Sequence, residues 1–333
     1  MAQAISESVL MDIAHSAIKE WDIQISNIDL IAIMENSVFR VSSVSGKSYV
    51  LRIHRPGYHS LDELDSELDW TAALYQAKVP VPRPVRTREG RGYVTTPVPD
   101  SSETRHVGLV EWIEGVPLAS VIDTKDKEGL AERFNQIGRL AACIHNQASE
   151  WTIPTSFRRH AFDADGLMGD SPFWGPFWSA PLIKSAERKQ ILRARGAIYR
   201  TLSEHGKNQG TYSLIHADLH PRNLIADGNR LYAIDFDDSG FGYHQYELAV
   251  ALYAYQDEPI FDQIRDSLVS GYRSERKLED SALDMLPVFL LIRSLALIGW
   301  INDRPELKQD KRQRKLIEWV CEQSENLFKR SLL

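Results

Sequence analysis

One stretch of this sequence, residues 214–242 (LIHADLHPRNLIADGNRLYAIDFDDSGFG), combines polar side chains that could do chemistry with the signals of a β-hairpin. Asn223 directly precedes one apolar run and Asp235 follows the next, and the turn residues Asp227-Gly228-Asn229 separate the two runs. Folding at this turn should bring Asn223 and Asp235 to the same edge. An amide oxygen beside a carboxylate suits a hard divalent ion such as Mg²⁺.

Asp218 lies just upstream of this hairpin, on a polar loop where it could meet the proton of an incoming hydroxyl group. A base next to a metal site is what phosphoryl transfer from ATP requires. The metal offsets charge on the transferred phosphate, and the base orients the nucleophile. The spacing therefore favours phosphoryl transfer, with Asp218, Asn223 and Asp235 converging at one mouth.

Other polar residues of this region have competing interpretations. His216, Asp218 and His220 fit no zinc-hydrolase spacing, so we expect His216 to brace the loop and leave His220 open between phosphate contact and packing. Glu247 is expected to support the loop through hydrogen bonds. Asp237 either assists the metal or attracts a cationic acceptor.

The elements that must position these residues change in character along the chain. The sequence predicts a hairpin over 37–53 with a turn at Ser45-Gly46-Lys47, a helix over 61–77, strands at 92–96 and 107–112, a helix over 127–147 and a β-rich interval over 212–236. We therefore expect an α+β fold with a small antiparallel-sheet N-terminal lobe, residues 1–112, and a larger, mostly helical C-terminal lobe, residues 113–333.

Composition limits the partners and the compartment. The 333 residues carry 39 Lys and Arg against 46 Asp and Glu, a net charge of -7, which argues against nucleic acid as a partner. Two cysteines cannot form a disulfide framework, so we expect a cytoplasmic protein. The apolar stretch Pro287–Ile301 is short and interrupted by Arg293, which predicts a buried core helix and no membrane contact. The oligomeric state stays open.

The strings HADLHPRNL at 216–224 and IDFDDSGFG at 234–242 resemble the aminoglycoside phosphotransferase and choline kinase superfamily. The resemblance covers roughly residues 30–255. It implies a bilobed protein-kinase-like fold, Asp218 as the catalytic base, and Asn223 and Asp235 as ligands of Mg²⁺.

The same resemblance implies a nucleotide site in the N-terminal lobe. Residues 36–41 resemble the nucleotide-covering loop and the second strand, and Arg52 stands where the kinase pattern has its phosphate-binding lysine. A guanidinium can clamp phosphate bidentately, with a geometry different from that of lysine. Glu67 matches the glutamate that pairs with this residue, and backbone groups at Glu111 and Ile113 would bind adenine. The implied nucleotide-binding residues are Ser37, Arg52, Glu67, Glu111 and Ile113.

We therefore expect a kinase that uses ATP and Mg²⁺ to phosphorylate a hydroxyl group of a small metabolite: an amino alcohol, a hydroxy amino acid such as homoserine, or a sugar. The alternatives are a protein Ser/Thr kinase of the bacterial stress-response type, an aminoglycoside-type antibiotic phosphotransferase, and a nucleotide-binding pseudokinase module. The aromatic stretch Phe173–Trp178 either lines the acceptor pocket or packs between helices, and packing is favoured.

Overall fold

The computed structural model describes residues 5–208, 210–304 and 310–333. The chain divides into two compact units. Unit 1 takes the described residues up to Val116 together with Thr152–Arg158 and Ile225–Ile234, and unit 2 takes the rest. These units differ from the two contiguous predicted lobes, 1–112 and 113–333, because backbone hydrogen bonds link the later hairpin to earlier parts of the chain. Ala233, for example, donates to the Pro80 carbonyl.

The described residues form helices and strands with the following bounds. The helices are α1 (Glu7–Ala17), α2 (Leu61–Gln76), α3 (Lys127–Glu150), α4 (Ala164–Met168), α5 (Ser185–His205), α6 (His244–Leu252), α7 (Phe261–Glu275), α8 (Asp280–Leu283), α9 (Leu286–Asn302) and α10 (Asp310–Lys329). The strands are β1 (Ile25–Ile33), β2 (Ser37–Ser43), β3 (Ser48–Ile53), β4 (Tyr93–Pro97), β5 (Thr104–Glu111), β6 (Val116–Pro117), β7 (Ala161–Phe162), β8 (Tyr212–Ile215), β9 (Leu224–Asp227), β10 (Arg230–Ala233) and β11 (Gly240–Tyr243).

Unit 1 is built on an antiparallel sheet with the strand order β1-β2-β3-β5-β4. The predicted hairpin is confirmed as β2 and β3, and Gly46 takes the positive φ of 84° that its turn requires. The predicted helix is confirmed as α2, which begins with a capping box between Ser60 and Glu63. Buried side chains such as Phe39, Val41 and Leu51 pack the sheet against α1.

Strand β1 was not predicted from the sequence. It is the edge strand of the sheet and leaves Ile31 and Ile33 more than half exposed, so its apolar residues do not follow the alternation of a half-buried strand. The short strands β6, β7 and β11 were also not predicted, because runs of two to four residues carry too little periodicity.

Unit 2 packs long helices around the sheet β7-β11-β8. Helices α3 and α7 cross where Gly138 faces the backbone of Leu268 and Gly271 faces the backbone of Asn135. The predicted core helix is confirmed as α9, in which most residues are buried. The stretch Asp280–Asn302 is long and apolar enough to cross a membrane, but 67% of its most apolar window is buried inside the protein.

Candidate active site

The loop that follows β8 is held by one buried carboxylate. Glu247, on α6, accepts the backbone N–H of His216 at 2.9 Å and that of Ala217 at 2.7 Å. Ala217 has a φ of 66°, a left-handed conformation that is costly for a residue with a Cβ. Such strain persists only where the surroundings impose it. The prediction that Glu247 supports this loop is confirmed.

The carboxylate of Asp218 has partners on both oxygens. Oδ1 lies 2.5 Å from Nη2 of Arg293, and Oδ2 accepts from Nδ2 of Asn223 at 2.8 Å and lies 3.2 Å from Nε2 of His220. His216 is fully buried, packs its ring at a tilt against that of Phe236 and accepts the N–H of Asp218 at 3.3 Å, so its predicted bracing role is confirmed.

These partners settle the charge of Asp218. Burial opposes ionisation, but Arg293 and His220 outweigh it and hold the pKa of Asp218 well below its usual range. Arg293 is itself buried, and burial disfavours its charge. The negative charge of Asp218 stabilises the charged guanidinium more than burial destabilises it, so the pKa of Arg293 is raised. Both groups are therefore charged at neutral pH.

Asn223 and Asp235 lie at the base of the hairpin β9–β10. Asn223 directly precedes β9, and its Nδ2 donates to the carbonyl and to Oδ2 of Asp218, so the amide oxygen remains for another ligand. Asp235 comes two residues after β10 and has a positive φ of 66°. An amide oxygen and one carboxylate fit Mg²⁺, which keeps several waters and phosphate oxygens in its shell. The described residues contain no group of three or more His, Cys, Asp or Glu suited to a metal.

The turn after Asp235 is clamped by a neighbouring segment that sequence reasoning missed. Arg159 donates to the carbonyls of Phe236, Asp237 and Ser239, and Nε2 of His160 lies 3.1 Å from the Asp238 carbonyl. The carboxylate-bearing turn is thus fixed through its backbone. No spacing within residues 214–242 points to this segment, because it precedes β7.

A buried histidine pair lies behind the loop. The rings of His145 and His244 stack at 4.1 Å; His145 contacts the Tyr272 hydroxyl at 2.9 Å, and His244 contacts Oγ of Ser213 at 2.8 Å. Burial lowers the pKa of both rings, that of His244 to about 3, and raises the pKa of Glu247 to about 8. The pair is neutral at physiological pH and plays a packing role.

The predicted nucleotide-binding residues all lie in unit 1. Ser37 begins β2, and its neighbour Val38 pairs in register with Arg52 of β3, so both residues lie on adjacent strands. Glu67 is buried on α2. Glu111 ends β5, and its N–H donates to the Arg83 carbonyl at 2.9 Å.

Because the N–H of Glu111 already donates to Arg83, adenine could contact Glu111 only through its backbone carbonyl. Ile113 follows in a half-buried extended segment, outside any helix or strand. The sequence did not indicate the role of Arg55 in holding the turn between β1 and β2. Its guanidinium lies 3.2 Å from the Glu35 carboxylate, and its backbone N–H donates to the Asn36 side chain.

The aromatic stretch at Phe173–Trp178 packs, as favoured from the sequence. Trp174 is buried and stacks on Phe162 with a ring separation of 4.8 Å. Its ring also lies 5.7 Å from the Arg293 guanidinium. This stretch is therefore part of the hydrophobic core, and its Trp174 ring lies close to Arg293, the ion-pair partner of Asp218.

Comparisons with known proteins agree with the predicted fold and enzyme class. The sequence model of the phosphotransferase enzyme family, APH, matches residues 30–280. The structure of a microcompartment-associated aminopropanol kinase superimposes with a TM-score of 0.81 at 32% identity and covers 97% of each chain. The amicoumacin kinase of Bacillus subtilis is 24% identical over 285 residues, covering 82% of this chain and 79% of its own length. A homoserine kinase of Sinorhizobium medicae is 27% identical over 269 residues, covering 79% and 74%. The expected protein-kinase-like fold is confirmed.

Proposed function

Since this chain belongs to the phosphotransferase enzyme family, we propose that it is a kinase that transfers the γ-phosphate of ATP to a hydroxyl group of a small amino alcohol. The observation that carries the proposal is the contact between Asp218 and Asn223, 2.8 Å apart on one loop, with Asp235 at the other end of the same hairpin. This is the residue set that phosphoryl transfer uses to orient a nucleophile and hold a metal.

Asp218 orients the acceptor. Its ionised carboxylate accepts a hydrogen bond from the acceptor hydroxyl and aligns that oxygen for in-line attack on the γ-phosphorus. With its pKa held so low, Asp218 takes the proton late, as the new O–P bond forms and the bond to ADP breaks. No covalent enzyme intermediate is needed.

Asn223 and Asp235 would hold Mg²⁺, which when bound offsets negative charge on the phosphates. Arg52 would contact the donor phosphates, with Glu67 as its partner, and Ser37 would lie near the nucleotide. Adenine would meet the backbone at Glu111 and Ile113. These roles follow from the family pattern at the matching positions.

Charge favours a cationic acceptor. The turn after β10 carries Asp235, Asp237 and Asp238 within four residues, and no Lys or Arg occurs between Leu231 and Gly242. An ammonium group fits such a field better than a carboxylate does. The similarity to an aminopropanol kinase supports the same choice.

The test is a panel of acceptors with the purified protein, ATP and Mg²⁺. Aminopropanol, ethanolamine, homoserine, a sugar and an aminoglycoside would each be assayed for ADP release, with the phosphorylated product identified by mass spectrometry. We expect the highest kcat/KM with an amino alcohol, and no product from Asp218→Asn. Phosphate incorporation into protein alone, or transfer only to homoserine or to the antibiotic, would contradict the proposal.

A further inference from the structure

Arg293 is the only charged residue of α9, a helix whose other residues are apolar except Ser294 and Asn302. Its side chain is only 9% exposed. Burying a guanidinium without a partner costs several kcal/mol, so a chain keeps such a charge only where another group compensates it. The compensating group here is the carboxylate of Asp218.

The contacts of Arg293 are specific. Nη2 lies 2.5 Å from Oδ1 of Asp218, while the Asp218 Oδ2 is occupied by Asn223 and His220. Because each carboxylate oxygen has its own partner, rotation of the carboxylate about its bond to the chain would break contacts on both sides. The charge contact to Oδ1 comes from Arg293.

The helix that carries Arg293 is itself held at close range. A Cβ at Gly299 would lie 2.5 Å from the Trp174 carbonyl oxygen, so α9 packs directly on that backbone. The Trp174 ring in turn lies 5.7 Å from the guanidinium carbon of Arg293. The position of the guanidinium is therefore set by packing as well as by the ion pair.

We propose that Arg293 is a positioning residue for the transfer reaction, acting through Asp218 by holding its carboxylate in one orientation. The kinetic part of this inference rests on the proposed function, whereas the ion pair itself does not. Arg293 need not touch either substrate.

The first experiment measures the pair without any activity assay. Arg293→Met, Asp218→Asn and the double variant are unfolded in urea, and their midpoints are compared with that of the wild type. We expect Arg293→Met to lower the midpoint, because it removes the arginine partner of the Asp218 carboxylate, and the double variant to be more stable than Arg293→Met. Additive losses in the double variant would overturn the pairing.

The second experiment measures the kinetics of the transfer reaction. In Arg293→Met the kcat should fall about 100-fold, while KM for ATP stays within about threefold. Arg293→Lys keeps a positive charge at this position and should recover part of kcat.

Arg304→Met is the matched control. Arg304 is equally buried, just beyond α9, and its guanidinium packs on Trp300 at 4.5 Å. We expect this variant to keep the wild-type kcat. An unchanged kcat in Arg293→Met, or a loss confined to KM, would refute the positioning role. If the wild-type protein phosphorylated none of the acceptors in the panel, the proposed function would be refuted. The urea experiment would then still test whether Arg293 and Asp218 form a stabilising ion pair.

Discussion

At the scale of single residues, the charge state of Asp218 decides how it can act. A general base works best when its pKa lies near the working pH, but Arg293 and His220 hold the pKa of Asp218 far below that. A loose phosphoryl-transfer transition state needs little base assistance and much alignment. In the proposed reaction, Asp218 should therefore orient the acceptor rather than act as a strong proton acceptor.

Replacement of Asp235 by alanine should lower kcat by at least ~100-fold, since a lost metal ligand removes several kcal/mol of charge stabilisation. The fold should be retained, because Asp235 lies in a turn whose backbone neighbours are clamped by Arg159. Circular dichroism and steady-state kinetics check the two statements. Asp227→Ala is the control: this exposed carboxylate at the far end of the hairpin should be dispensable. Full activity of Asp235→Ala would remove Asp235 from the metal site.

The buried histidine pair predicts a pH dependence of stability. Burial lowers the pKa of His244 to about 3, whereas an unfolded histidine titrates near 6.5. Below pH 6.5 the histidine of the unfolded chain becomes protonated, whereas the folded ring stays neutral. The free energy of unfolding therefore decreases as pH falls, by up to about 1.4 kcal/mol per pH unit for this ring.

Urea midpoints at pH 5 and pH 7 test this prediction. The difference between the two midpoints should be smaller in His244→Gln than in the wild type, whatever the variant does to stability at pH 7. Glu247 works in the opposite direction. Burial raises its pKa to about 8, so the stability it contributes at low pH is lost as pH rises from about 4.5 to 8. An unchanged difference would show that His244 is not kept neutral by the fold.

At the scale of elements, the crossing of α3 and α7 depends on two glycines. A Cβ at Gly271 would lie 1.9 Å from the Asn135 carbonyl oxygen, and one at Gly138 would lie 2.0 Å from that of Leu268. The helix backbones touch at these points. The two helices also carry His145 and Tyr272, so their spacing sets the packing behind the catalytic loop.

Gly271→Ala should therefore destabilise the protein by about 1–3 kcal/mol, because the helices must separate. Gly196→Ala in α5 should stabilise the protein. Its Cβ would meet only the end of the Arg200 side chain, at 3.8 Å, so the gain in helix propensity, about 0.5–1 kcal/mol, should appear as added stability. Thermal unfolding of the two variants checks both signs. Equal effects of the two substitutions would show that the close crossing does not matter.

Much of the site was predictable because most of its residues lie close together in the sequence. The loop, the turn at Gly228 and the strands on either side lie within about twenty consecutive residues, so their spacing alone indicates that Asn223 and Asp235 share an edge. Arg293 could not be placed in this way, because it is 75 residues from Asp218. Its only signal was a single charge inside an apolar helical run, which implies a buried partner without naming it.

The fold was predictable to a similar degree. Elements with strong periodicity, such as α2 and the hairpin of β2 and β3, lie where the sequence predicts them. Strand β1 was missed because two of its apolar side chains, Ile31 and Ile33, are more than half exposed at the sheet edge and break the alternation of a half-buried strand. Strand β11 is too short for a pattern, and its pairing with β8 depends on contacts between distant parts of the chain.

At the scale of the whole molecule, metal and nucleotide should bind together. A non-hydrolysable ATP analogue with Mg²⁺ should raise Tm more than the analogue alone, with a stabilisation of about 2.7 kcal/mol when the ligand exceeds its Kd 100-fold. EDTA should abolish turnover, and added Mg²⁺ should restore it. In Asp235→Ala the extra shift from Mg²⁺ should vanish while the shift from the analogue remains. A metal-independent turnover would contradict the role given to Asn223 and Asp235.

The composition of the two compact units has a consequence for protein engineering. Unit 1 takes one long N-terminal piece and two short inserts, 152–158 and 225–234, from the rest of the chain. A chimaera that exchanges everything before residue 117 with a relative would thus combine a foreign sheet with native inserts. Hybrid enzymes with a new nucleotide preference should tolerate a three-piece exchange better than a single crossover.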